Sequence, residues 1–324
     1  MSATPWSGGS GFPGGVCGFS GKAFPVRTRA GFGPIGLGGP CAVRRKVCLV
    51  RASSEDDWRQ FRAALILQEK ERREGPQLNK QGMALLRKNE ALMGVTNPTL
   101  RGMELWAVPT TVVEKGSVVV AASALSSAAT LLQQHRQEAV IFIFQHDNSG
   151  TRGLILNRPT SLTLGRTLIQ SSSGETNLRQ LFSENVLYMG GGEIGESVFV
   201  LHSRPDLWTD SEEVISGIYL AGGVVPEDLG ARLESTGRTM SERSEQFKFY
   251  CGQESWGPGE LDLEVRDGLW TVASVSPALV AKHCLQLPCP LWLEICLRLG
   301  GEPAEAASQA YANLLRAETG GDEG

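Results

Sequence analysis

The side chains with the clearest chemical potential stand at the two ends of a predicted β-hairpin. One apolar run, residues 139–144, leads into a His-Asp-Asn-Ser-Gly corner that begins at His146, and a second run, residues 153–156, ends in Asn157 and Arg158. A guanidinium group binds carboxylates and phosphates through paired hydrogen bonds. The sequence therefore predicts a cleft at Asn157 and Arg158 that could receive a small anionic ligand.

The same two residues also have a purely structural interpretation. An arginine next to a buried strand is commonly paired with an acid of its own fold, and an asparagine that precedes proline commonly stabilises a turn. Asn157 is followed by Arg158 and Pro159, so the sequence is compatible with both interpretations.

A glycine-rich segment, residues 190–195, follows another predicted strand and has the form G-x-G-x-x-G. A dinucleotide site requires a helix N-terminus after such a segment, but a further apolar strand follows here. The segment is predicted to form a tight turn or a bulge that requires small residues. Gly190 and Gly191 would then form the floor of the cleft beside Arg158.

A second histidine, His202, ends the predicted strand 197–202. It could join His146 and Asp147 in an acid-base or metal site, but the sequence has neither H-x-x-x-H nor H-E-x-x-H spacing. The nucleophile pattern G-x-S-x-G and the Walker pattern are also missing from the sequence. We therefore predict no metal, no cofactor and no catalytic residue, and name six ligand-binding candidates: His146, Asn157, Arg158, Gly190, Gly191 and His202.

Charge is distributed unevenly along the 324 residues. Residues 1–52 contain seven of the 31 Lys and Arg and no acidic residue, which leaves 24 basic against 35 acidic residues from Ser53 onward, a net charge of −11. A segment rich in Gly, Ser and Arg without acids is typical of an organelle transit peptide. Residues 1–52 are thus predicted to direct the protein to the chloroplast stroma, with the mitochondrion as the alternative.

The acidic remainder disfavours nucleic acid as a partner, because general binding to DNA or RNA depends on clustered Lys and Arg. No window approaches the roughly 18 apolar residues of a membrane helix. The partners that remain are another protein or a small anionic ligand. The seven cysteines show no C-x-x-C spacing.

Periodicity and turn residues divide the rest of the chain into two parts. Residues 53–110 are predicted to be an N-terminal extension with two helices, near 53–73 and 79–93, the first with an apolar stripe of Trp58, Phe61 and Leu65. Residues 111–324 are predicted to form the main domain, in which helices and strands alternate. Its predicted helices include a Ser/Ala-rich helix at about 123–134, one near 164–170 and one at about 291–299. Its predicted strands span residues 117–121, 139–144, 153–156, 186–189, 197–202, 214–220, 247–251 and 269–275.

The order of motifs in the main domain resembles that of the AlgH-like family. The resemblance covers about residues 117–279, and the first helix also resembles the opening of plant members. This chain has Gly192 where family members usually have proline, and its segment after Gly252 departs from the usual Gly-Tyr-x-Gly-Trp. The motifs that carry the resemblance are His146 to Gly150 with Gly153, Ile155 to Pro159, Tyr188 to Gly191, Phe199 to His202, Phe249 to Trp256, and Leu269-Trp270.

The resemblance implies an α+β fold with a bifurcated, partly barrel-like sheet surrounded by helices. It also implies the label of a transcriptional regulator, but no reaction. The sequence thus favours a non-enzymatic plastid protein that regulates by binding a protein or a small anion. The alternatives are a hydrolase or transferase that acts on an anionic substrate at Asn157 and Arg158, and a transcription-associated regulator.

Overall fold

The computed structural model describes residues 55–73, 80–96, 104–122, 131–167, 175–222, 225–237, 245–285 and 287–319. They belong to one compact unit, Val50–Gly324. The predicted transit segment lies outside the described residues. None of the helices in these ranges has the length and hydropathy required to cross a membrane.

The N-terminal extension has the two predicted helices, α1 (Glu55–Arg73) and α2 (Lys80–Thr96). Ala63 of α1 is buried, and Arg59 and Arg62 bind the carboxylate of Glu114 at 3.1 and 2.6 Å. The predicted apolar stripe does not point into the core, because Trp58, Phe61 and Leu65 are 52%, 39% and 48% exposed. Charged contacts to residue 114, rather than these apolar side chains, hold α1 against the main domain.

An antiparallel path of nine strands forms the main sheet, in the order β1-β11-β2-β3-β4-β10-β7-β9-β8. In β2 and in the first four residues of β3, uninterrupted Val, Ile and Phe runs are buried on both faces of the sheet. The strands in chain order are β1 (Ala107–Pro109), β2 (Val118–Ala121), β3 (Val140–Asp147), β4 (Gly150–Ile155), β5 (Pro159–Thr163), β6 (Val186–Met189), β7 (Glu193–His202), β8 (Glu212–Ile215), β9 (Ile218–Gly222), β10 (Phe247–Trp256) and β11 (Trp270–Val275).

The sheet divides at β10. Residues 254–256 of β10 pair with β4, and residues 249–251 pair in parallel with β6, which carries β5 on its other edge. The register of β10 shifts at Gly252, whose φ of +77° suits glycine. The structure therefore confirms the α+β class and the bifurcated sheet.

Helices cover this sheet. In the helix α7 (Leu291–Leu299), seven of the nine side chains are apolar and buried. The indole N–H of Trp292 donates to the carbonyl of Ala121 on β2 at 2.8 Å. The helices after α2 are α3 (Glu175–Leu181), α4 (Leu229–Ser235), α5 (Glu260–Arg266), α6 (Pro277–Ala281), α7 (Leu291–Leu299) and α8 (Gly301–Thr319).

Several predicted elements differ from the structure. The predicted strand 214–220 is a hairpin, β8 and β9, because Gly217 adopts a φ of +78° and reverses the chain. The strand β5 was not predicted, and the helix predicted at 164–170 is a 3₁₀ turn, Leu164–Arg166, in its described part. The Ser/Ala-rich helix predicted at 123–134 lies largely outside the described residues.

Candidate functional site

An open cleft of about 460 Å³ lies between the two branches of the sheet. One wall is the end of β3, and the other consists of β7, β8 and β9. The aromatic rings of Phe144 and Phe199 meet across it, with centroids 5.8 Å apart. The lining residues are Lys115, Phe144, Gln145, His146, Asp147, Phe199, Glu212, Leu220, Ala221 and Gly222.

A β-bulge directs Phe144 into this cleft. In the β3–β4 ladder Ile143 pairs with Gly153 and Gln145 pairs with Arg152, which leaves Phe144 as the extra residue. A bulge interrupts the strict alternation of side chains and turns the extra residue away from its ladder position. The cleft thus depends on a local irregularity in β3.

The polar end of the cleft is the hairpin corner between β3 and β4. The amide of Ser149 donates to Asp147 Oδ1 at 2.7 Å, and the amide group of Gln145 donates to Asp147 Oδ2 at 2.8 Å. Together with the hydroxyl of Ser149, which has the largest effect, these two hydrogen bonds lower the pKa of Asp147 to about 2. Its carboxylate is therefore charged at neutral pH. His146 Nδ1 lies 2.8 Å from the hydroxyl of Thr151.

An ion pair connects the two walls at the mouth of the cleft. The ammonium group of Lys115 donates to the carboxylate of Glu212 and to the carbonyl of Glu213, the latter at 3.3 Å. The carbonyl of Lys115 in turn accepts a hydrogen bond of 2.8 Å from Arg59 on α1. The N-terminal helix therefore contacts the segment that carries the lysine of the cleft.

Asn157 and Arg158 lie at the opposite end of the hairpin. Asn157 accepts from the amide of Val140 at 3.0 Å and donates to the carbonyl of Glu138 at 2.8 Å. Val140 and His146 are six residues apart on β3, which corresponds to about 20 Å along a strand. The structure therefore does not bring Asn157 and His146 into one site.

Arg158 supports the same corner. Its guanidinium group donates to the carbonyls of Gln137 and Asn157, the latter at 3.2 Å. Burial lowers the pKa of Arg158, while the nearby Glu138 raises it. Glu138 has a left-handed φ of +50°, rare for a residue with a side chain. Asn157 and Arg158 thus stabilise an unusual turn before β3.

Gly190 and Gly191 follow β6 directly, where the chain passes close to the backbone of its parallel neighbour β10. A Cβ atom at Gly190 would stand 2.2 Å from the carbonyl oxygen of Gly252, and one at Gly191 would stand 2.0 Å from the carbonyl carbon of Gln253. The carbonyl of Gly190 accepts a hydrogen bond from the amide of Ile155 at 2.7 Å, and its amide donates to the carbonyl of Cys251 at 2.8 Å. These glycines permit close backbone packing, and neither is among the residues that line the cleft.

His202 is buried in an aromatic environment. Its ring stacks on Trp208, Tyr219 and Phe247, with centroids 6.0, 5.8 and 5.6 Å away. Nδ1 accepts from the amide of Arg204 at 3.1 Å, while the buried Nε2 has no hydrogen-bond partner. Burial lowers the pKa of His202 to about 4, so the ring is neutral at pH 7.

A buried charged cluster around Glu254 was not predicted. The carboxylate of Glu254, which is 2% exposed, binds His135 Nε2 at 2.9 Å, Arg136 at 2.6 Å and the amide of Gly192 at 2.6 Å. His135 is therefore paired with a buried carboxylate. Glu254 falls on the part of β10 beyond the predicted strand 247–251, so its burial could not be anticipated.

A buried lysine was also missed. Lys248 on β10 donates to the carbonyls of Leu156 and Lys282 at 3.3 and 2.9 Å, and its ammonium group lies 4.7 Å from the ring centroid of Tyr188. Burial lowers the pKa of Lys248, whereas the nearby Cys284 raises it. The four cysteines within the described ranges are free, and no group of three or more His, Cys, Asp or Glu there could hold a metal ion.

This architecture defines an α+β protein with a divided antiparallel sheet and a cleft between its branches. The AlgH-like family model matches residues 124–304. The chain belongs to the AlgH-like family.

Two UPF0301 relatives and two solved structures are similar to this chain. A UPF0301 protein of Chlorobium luteolum is 30% identical over 144 residues, 44% of this chain and 68% of the relative, and one of Myxococcus xanthus is 26% identical over 166 residues, 51% and 83% of the two chains. The solution structure of AlgH from Pseudomonas aeruginosa covers 65% of this chain and 94% of its own, with a TM-score of 0.38 and 21% identity. Protein DIP2367 from Corynebacterium diphtheriae covers 60% and 92%, with a TM-score of 0.42 and 18% identity. These names state no reaction, ligand or partner.

Proposed function

We propose that the protein is a regulatory binding protein rather than an enzyme, and that its site is the cleft between the two sheet branches. The observation that supports this most directly is the bulge that places Phe144 opposite Phe199. Ligand sites are typically concave, with apolar walls and a few polar groups that fix orientation. A small molecule or a side chain of a partner protein would fit this volume.

The polar groups of the cleft support binding more than catalysis. Asp147 is engaged by Ser149 and Gln145, and His146 contacts Thr151, so each is held by a neighbour in the hairpin. A general base needs a free lone pair within hydrogen-bond reach of the proton that it removes. The hydrogen bonds of this corner instead rigidify the walls of a binding site.

A regulatory role is supported by the link between the cleft and α1. Lys115 contributes its side chain to the cleft and its carbonyl to Arg59, and the adjacent Glu114 binds Arg59 and Arg62. A ligand that shifts Lys115 would therefore act on the contacts that hold α1. The exposed Trp58 and Phe61 on that helix would be available to a partner protein.

Filling the cleft tests the proposal. A Cβ atom at Gly222 would lie 3.9 Å from Phe199 Cδ1, so Gly222→Leu places a side chain in the cleft without removing a polar group. In a ligand-observed NMR screen of small fragments against the full chain, we expect hits that Gly222→Leu loses. The control Ser161→Leu, on the exposed face of β5, should retain them. Hits that bind Gly222→Leu unchanged would exclude this cleft as the site.

We also propose that residues 1–52 act as a plastid transit peptide, on the basis of their basic, acid-free composition. A fluorescent reporter fused to residues 1–60 should enter the plastid of a plant cell. A reporter that stays in the cytosol, or enters mitochondria, would contradict the plastid assignment.

A further inference from the structure

The hydrogen-bonding groups of the cleft are mainly acceptors. Both N–H groups of the Gln145 amide point to Asp147 and Ser149, at 2.8 and 3.2 Å, so the side chain can offer a ligand only its oxygen. The carboxylates of Asp147 and Glu212, which also line the cleft, are acceptors as well. A ligand that satisfies these groups must bring donors.

The charges of the cleft point to the same class of ligand. Lys115 and Glu212 form an ion pair with each other. The partners of Asp147 in the hairpin corner, Ser149 and Gln145, carry no charge, so the fixed side-chain charges of the lining sum to one negative. A free carboxylate or phosphate would meet this negative charge without a lysine or arginine left to neutralise it.

The protein itself shows how the cleft receives a cation. The ammonium group of Lys115 already lies against the carboxylate of Glu212 and the carbonyl of Glu213. A second ammonium group at the Asp147 end would find the same combination of a carboxylate and a neutral oxygen. The rings of Phe144 and Phe199 between these two ends would cover an apolar or aromatic group.

We infer that the cleft binds a ligand with a cationic amine attached to an apolar or aromatic group, and not the small anion that the sequence suggests. The inference rests on the proposed function, because it assigns a chemical class to the ligand of that same cleft.

Two probes with the same ring and opposite charge test the inference. We expect 2-phenylethylamine to bind the full chain more tightly than 3-phenylpropionate in NMR titrations at low salt, where surface charges are least screened. Asp147→Asn should lower the affinity for the amine by roughly two- to fivefold, the usual range for an exposed ion pair. Glu184→Gln, which removes an exposed acid outside the cleft, should leave its affinity unchanged.

The outcomes that overturn the inference differ from those that overturn the proposed function. Tighter binding of 3-phenylpropionate, an unchanged affinity of the amine for Asp147→Asn, or binding of neither probe would each refute the cationic class. Neutral fragments that Gly222→Leu excludes would still support the cleft as a site in any of these cases. If the Gly222→Leu variant still binds the amine, the amine site lies outside the cleft, and the inference is refuted.

Discussion

At the scale of single residues, most of the predicted site residues maintain the fold. Arg158 donates to backbone carbonyls, Gly191 allows two backbone segments to approach closely, and His202 is enclosed by aromatic rings. Motifs that mark a family can therefore reflect packing requirements as strongly as chemistry. Among the six candidates, His146 alone lines the described cleft.

Gly191 should tolerate no side chain. The nearest atoms to its hypothetical Cβ are backbone atoms of Gln253 and Glu254, at 2.0 to 2.3 Å, which cannot move without disrupting β10. We expect Gly191→Ala to lower the free energy of unfolding by more than about 3 kcal/mol in urea titrations. Gly230→Ala is the matched control, since its Cβ meets only Leu181 at 3.5 Å. Equal stability of the two variants would contradict this close approach.

Two buried histidines should make stability depend on pH. Burial lowers the pKa of His202 and of His283 to about 4 in the folded protein, while an unfolded histidine titrates near 6.5. Between these values the unfolded chain binds more protons, so stability falls as the pH drops from about 6.5 to 4, by up to about 3 kcal/mol for each ring.

Urea unfolding at pH 7.0, 6.0 and 5.0 measures this dependence. His202→Asn keeps an acceptor for the amide of Arg204 and removes one titrating ring, so its unfolding midpoint should fall less steeply with decreasing pH. A midpoint that is constant from pH 7 to 5 in the wild-type protein would show that neither ring is held neutral.

At the scale of elements, buried polar groups fix the position of α2. Asn89 is fully buried, donates to the carbonyl of Cys289 at 2.8 Å and to Glu294 at 2.7 Å, and accepts from the amide of Cys289 at 3.0 Å. Glu294 is also fully buried and is paired with Lys282 and Arg298. The helical extension is therefore integrated with α7 through directional bonds.

Asn89→Ala should destabilise the protein by about 2 to 4 kcal/mol, because it removes three hydrogen bonds and leaves buried groups without partners. Lys88→Ala, at an exposed position of the same helix, should change the stability by less than about 0.5 kcal/mol. Hydrogen exchange by mass spectrometry should show faster exchange throughout α2 for Asn89→Ala. Unchanged protection of α2 would refute the anchoring role of this residue.

The sequence predicted β6, an uninterrupted apolar run, and α7, a largely apolar segment, with their observed bounds. It failed where a turn or bulge lies inside such a run. Ser216-Gly217 divides β8 from β9, and the signal of a two-residue hairpin turn was present there. The extension of β10 to Trp256 depends on pairing with β4, about 100 residues earlier, which no local pattern records.

At the scale of the whole molecule, the division of the sheet creates the candidate site. Phe144 and Phe199 come from different branches, and they meet because β10 joins β4 to β7. The sequence offered His146 as a candidate, but the remaining lining residues could not be selected without these long-range pairings. The bifurcated sheet implied by the family resemblance thus also forms the cleft.

The central claim is that ligands bind in the cleft and not beside Arg158. The most direct test is to map the backbone amide shifts of the full chain in transverse-relaxation-optimised NMR spectra while a fragment hit is titrated. We expect the largest changes at residues 144–147 and 220–222, with smaller changes at Lys115. Changes concentrated at residues 157–158 and 190–191 would contradict it and restore the anion site predicted from the sequence.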